Sequence, residues 1–126
     1  MASPGSWVVN PDWAAANADV IVRFNRAMFK AMDFASAATT DDAVAQEVAE
    51  YVAKITGLDA ESTIAQRYDG SWMTSAQVLE VLNSGALVQY YADQQATFIA
   101  NGAVEADSAL APADFVLTDL MLEAGK

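Results

Sequence analysis

The chain has 126 residues and a mass of 13.4 kDa, with 54% hydrophobic residues, 17 carboxylates against 6 Lys and Arg, and a net charge of −11. This is the size of one domain, and the charge argues against proteins that hold nucleic acid or anionic lipid by neutralising phosphates. Cys and His are both absent, which excludes disulfides, thiolate or imidazole metal ligands, and Ser-His or Cys-His triads. In chain order, residues 1–6 read as a disordered lead or a cloning remnant, without the charged and apolar regions of a signal peptide. Residues 7–126 then form a single helical domain. After Trp7-Val8-Val9, Asn10 is placed to cap and Pro11 to occupy the first position of a short helix. Asn17 offers a second cap for a long helix over Ala18–Ser36. Val20, Phe24, Ala27, Met28, Ala31, Phe34 and Ala35 follow the three-four spacing of one buried face, and Arg23, Arg26 and Lys30 line another.

Thr39-Thr40-Asp41-Asp42 supplies a cap and an acidic first turn for the next helix. Val44, Val48, Tyr51, Val52 and Ile55 form its stripe, Glu50 and Lys54 an i, i+4 pair, and Gly57 its left-handed end. A short helix runs from Asp59 to about Gln66, followed by the loop Arg67 to Trp72. Thr74 and Gln77 make a capping box, and Met73 with Val78 the hydrophobic staple, for a helix from Ser75 to Leu82. Asn83-Ser84-Gly85 interrupts the stripe before a helix over Ala86–Ala100 that ends at Asn101-Gly102. Ala103 to Leu110 reads as irregular, and Pro112 opens a last short helix through Leu122. No apolar run approaches the roughly 20 residues that cross a bilayer. The expected fold is all-α, a compact bundle of about five to six helices.

Several of these pieces recur together in a known order. Asn10-Pro11-Asp12 opens a short helix and is followed by Val20-Ile21-Val22-Arg23-Phe24-Asn25-Arg26-Ala27 and by Lys30-Ala31-Met32-Asp33-Phe34-Ala35. Tyr51-Val52-Ala53-Lys54-Ile55-Thr56-Gly57-Leu58-Asp59 comes next, and the run from Thr74 to Asn101-Gly102 closes the series. From about Val8 to Leu122 the chain resembles the carboxy-terminal part of periplasmic solute-binding proteins of bacterial ABC importers. The closest branch is the group binding sulfonates, taurine, nitrate and thiamine precursors. Such proteins have two α/β lobes with the ligand between them, and this chain lacks nearly all of their strand-forming sequence. No ligand-contact residue of the family carries over. The resemblance implies a periplasmic setting, whereas a stand-alone product without a signal peptide would be cytoplasmic.

Candidate sites follow from surface chemistry. Arg67, Tyr68 and Trp72 in one loop combine a cation and two aromatics suited to a small organic anion. The competing reading is that the aromatics cover the core edge while Asp69-Gly70 turns the chain. Arg23, Arg26 and Lys30 form a basic stripe for an anion or a partner, against the reading of a solvated face paired with Asp19 and Asp33. Tyr90 and Tyr91, with Phe98, Trp7 and Trp13, are a large aromatic supply for this length. The carboxylate pairs Asp41-Asp42 and Glu47 with Glu50 match neither a calcium loop nor a di-iron motif. No catalytic residue, cofactor or metal site is expected. Helices selected to pack on a missing sheet must find other cover, so the expected function is binding, through self-association or a helical protein partner. Residual binding of a sulfonate- or nitrate-like anion is the alternative.

Overall fold

The computed structural model describes residues 6–69 and 73–126 and is a compact all-α fold with no strand among those residues. Eight helices occur there: α1 Pro11–Ala16, α2 Ala18–Ala37, α3 Asp42–Thr56, α4 Ala60–Ala65, α5 Ser75–Asn83, α6 Ala86–Ala100, α7 Pro112–Phe115 and α8 Thr118–Ala124.

Helix starts are set by short polar side chains that satisfy the first free N–H groups. Asn10 accepts from Trp13 N–H at 3.0 Å with Pro11 at the first helical position. Asp41 accepts from Ala43 N–H at 2.9 Å and Val44 N–H at 3.2 Å, and Asp59 from Ser62 N–H at 2.8 Å. At α5 the capping box is complete, Thr74 and Gln77 each accepting from the other's backbone. Among the positive-φ glycines, Gly57 closes α3 and Gly85 separates α5 from α6, each at φ 74°.

Three local expectations are corrected. Asn17 does not cap α2. Its side-chain amide instead donates to the Trp13 carbonyl at 2.8 Å, closing α1. Glu50 and Lys54 do not pair: Glu50 accepts from Gln46 at 2.9 Å, and the Lys54 ammonium lies 5.9 Å from the centre of the Tyr51 ring. The single closing helix is two helices, α7 and α8, separated where Val116 is extended and Leu117 has φ −77° and ψ 54°. Leu117 is the centre of an inverse γ-turn closed by Thr118 N–H on the Val116 carbonyl at 2.8 Å.

The core lies on the inner face of α2, which packs against α8, α3, α5 and α1, with α3 also packed on α4. Ile21, Phe29 and Leu82 are its large buried side chains, joined by Ala14, Ala38, Ala45, Ala49 and Ala124. Alanine at these crossings lets helix backbones approach closely and leaves little volume to fill. Two long-range polar ties add to the packing. Arg26 reaches the carbonyls at the end of α8, Glu123 and Ala124, each at 3.4 Å. Asp33 on α2 accepts from the Ser75 N–H and hydroxyl at 2.7 Å each, anchoring the start of α5.

Candidate functional site

The expected buried face of α2 is rotated in the structure. Of the residues expected there, Met28 and Ala35 are half-buried, whereas Val20, Phe24, Ala27, Ala31 and Phe34, spaced by four, three, four and three, turn toward solvent: Val20 is half-buried and the other four are exposed. The inner stripe is Ile21, Asn25, Met28, Phe29 and Met32, with Ile21 and Phe29 fully buried. The helix is apolar on both faces, so a three-four spacing exists in two phases. The same rotation affects α3. Ala45 and Ala49 are buried there, while Tyr51 and Ile55 of the expected stripe are exposed and Val44, Val48 and Val52 half-buried.

Across the described residues, 14 large hydrophobic side chains are exposed while only Ile21, Phe29 and Leu82 of that size are buried. Part of the exposed set gathers in a patch. Trp7 is 79% exposed and stands edge-on to Phe24, ring centres 5.7 Å apart at 82°, extending the outer stripe of α2. Tyr51, Ile55 and Leu58 are exposed toward and just beyond the end of α3. A folded protein leaves single apolar residues in water routinely; contiguous patches mark contact surfaces.

The three cations of α2 separate into different roles. Arg23 pairs with Asp19 one turn earlier at 2.9 Å, Arg26 serves the end of α8, and Lys30 is exposed beside the outer stripe. Asp33 is occupied by Ser75 rather than by a cation, and those hydrogen bonds hold its carboxyl below its ordinary value.

Arg67 and Tyr68 lie together at the end of α4. The Arg67 Nη2 donates to the Tyr68 hydroxyl at 2.8 Å and pairs with Asp42, the first residue of α3, at 2.9 Å, while the guanidinium lies 4.8 Å from the Tyr68 ring centre. The Tyr68 hydroxyl donates to the Thr39 carbonyl at 3.4 Å. The hydrogen bond to Tyr68, then the Asp42 partner, raise the Arg67 pKa. The cluster joins the end of α4 to the start of α3. One polar atom is left over: Arg67 Nε is buried with no hydrogen-bond partner among the described residues. Trp72, the third member of the expected loop site, lies outside those residues.

Tyr90 and Tyr91 are half-buried on α6. Their rings meet edge-on at 5.7 Å, Tyr91 meets Phe115 of α7 at 6.0 Å, and the Tyr91 hydroxyl shares a hydrogen bond with Ser6. These aromatics bind the chain to itself. An open groove of about 540 Å³ between α5 and α8 carries Asp119, Glu123 and Lys126 at its rim. Lys126 holds the Glu123 carboxyl below its ordinary value. No group of three Asp or Glu able to hold a metal ion occurs among the described residues, and no helix there is long and apolar enough to cross a membrane.

The outer face of α2 is the feature that sequence reading placed wrongly. Its signal was present as the strict alternation of three- and four-residue spacings, assigned to the wrong side of the helix. No protein-family model, curated protein or solved structure matches the chain.

Proposed function

We propose that this chain is a non-catalytic interaction protein that works by seating its exposed apolar helix faces on another protein surface, with a second copy of itself as the partner. The observation that carries this reading is the exposed apolar outer face of α2, where Phe24, beside Trp7, and Phe34 stand in water, among 14 exposed large hydrophobic side chains of the described residues. Burying one such side chain fully is worth about 1.5–3 kcal/mol, so a few of them suffice to drive association. The ordered resemblance to the helical part of ABC-importer solute-binding proteins supports a common ancestry, and with it a periplasmic setting. Light scattering and sedimentation at tens of micromolar test the proposal: a dimer or larger species is expected. A strictly monomeric protein that also fails to bind a hydrophobic dye would overturn it.

A second reading rests on Arg67. Its buried Nε has no hydrogen-bond partner among the described residues, and a small organic anion of the sulfonate or nitrate type would satisfy it. Asp42 and Tyr68 already occupy Nη2, which weakens the site for an anion. Calorimetry with methanesulfonate, taurine and nitrate tests it: heat that disappears in Arg67→Lys supports anion binding, and no heat with any of the three removes it.

A further inference from the structure

The outer stripe of α2 is a palindrome. Phe24, Ala27, Ala31 and Phe34 read Phe-Ala-Ala-Phe in both directions, with spacings of three, four and three residues, and all four are exposed. Symmetric dimers are built from one patch that complements itself under a two-fold rotation. We infer that, within the self-association proposed above, two copies pair through this stripe, α2 crossing α2 of the second copy antiparallel about a two-fold axis between Ala27 and Ala31.

In that register the index numbers of facing residues sum to a constant. Phe24 faces Phe34 of the second copy, and Ala27 faces Ala31 of the second copy. Small side chains lie at the centre, where the two backbones come closest, and large rings lie toward the ends, where crossed helices diverge and leave space to fill. Trp7, edge-on to Phe24 at 5.7 Å and 79% exposed, adds a third ring at each end, since Phe34 of the second copy arrives against the same Phe24.

The chain exposes more surface than a compact monomer of its mass needs. The chain presents 8836 Å² to water, against about 6,500 Å² expected for a compact monomer of this mass. Part of the difference belongs to the non-helical stretches 6–10 and 101–111, and exposed helix faces, the outer stripe of α2 among them, hold another part. A stable interface removes about 800 Å² per partner, well within that difference.

Charge sets how the contact responds to salt. Each copy carries −11, and Lys30 flanks the stripe close to the two-fold axis, so two copies repel at low ionic strength and added salt tightens the pairing. Arg23, on the same flank, is neutralised by Asp19 at 2.9 Å. An anion held by Arg67 would show the opposite dependence.

Sedimentation equilibrium of the full chain and of Ala27→Glu tests the interface. Both residues favour helix and position 27 is exposed, so the variant keeps its helical circular dichroism, while a bulky carboxylate desolvated where the two backbones come closest raises the dimer dissociation constant on the order of 100-fold. A monomeric parent chain would overturn both self-association and this pairing. A dimeric parent whose Ala27→Glu variant dimerises equally well would overturn the pairing alone. The register has its own readout, because the chain holds no cysteine. When Ala27→Cys and Ala31→Cys chains are mixed and oxidised, the mixed 27–31 cross-link should dominate. Predominance of 27–27 and 31–31 links would instead mean parallel pairing and would also overturn it.

Discussion

The inner face of α2 sets Ile21 and Phe29, 9% and 6% exposed, against four other helices, whereas the outer face of the same helix leaves Phe24 and Phe34 at 44% and 38% exposure with only Trp7 in aromatic contact. Composition does not separate the two faces, since each carries aromatic and aliphatic side chains at helical spacing. What separates them is whether a second element reaches that side. The inner face therefore contributes to the stability of one copy, and the outer face is free to contribute to the stability of a pair.

Substitutions on the two faces should divide accordingly. Phe29→Ala has the largest expected effect, a loss of about 3–5 kcal/mol in folding free energy. Urea denaturation at a concentration where the protein is monomeric measures it, and a loss under about 1 kcal/mol would mean that the inner face is not the core. Thr74→Ala tests the neighbour that docks on that face. It removes the cap of α5 and half of the capping box, and should cost about 1 kcal/mol in the same assay. Phe34→Ser, on the outer face, should change monomer stability by no more than about 0.5 kcal/mol while weakening association in sedimentation. A large stability loss would move Phe34 into the core and erase the contrast between the faces.

The smallest effect belongs to pH. Hydrogen bonds from Ser75 depress the Asp33 pKa in the folded state below its ordinary 3.8, and those from Ser62 do the same for Asp59. A carboxyl with a depressed folded value stabilises the fold fully above its unfolded pKa, and that contribution is lost as pH falls through the unfolded value toward the folded one. Urea midpoints should therefore decline below about pH 5, and Asp33→Asn should decline less steeply. An identical slope in the variant would show that the Asp33–Ser75 link is not maintained in solution.

Much of the fold was legible in the sequence because helix boundaries are written in local chemistry. Asn10 with Pro11, Asp59 and the Thr74–Gln77 box each act within three or four residues of their own position, and the structure retains every one. Sidedness was less legible. An amphipathic helix declares its buried side only when the other side is polar, and α2 places Phe24 and Phe34 on one side and Ile21 and Phe29 on the other. The break at Val116–Leu117 carries no Gly or Pro, so no turn residue announces it, and Asn17 has a cap's side chain but turns it back to Trp13. The candidate sites show the same limit. Arg67, Tyr68 and Asp42 are brought together by how α4 folds back on α3, a contact between residues far apart in sequence.

The tie from Arg26 to the Glu123 and Ala124 carbonyls spans 97 and 98 residues. A polypeptide emerging amino-terminus first thus carries α2 with its inner face covered only in part, by α1, α3 and α5, until α8 has also emerged. During that interval the nascent helix is a substrate for chaperones and for premature aggregation, and slowing translation near residue 118 should lower soluble yield more than slowing it near residue 40.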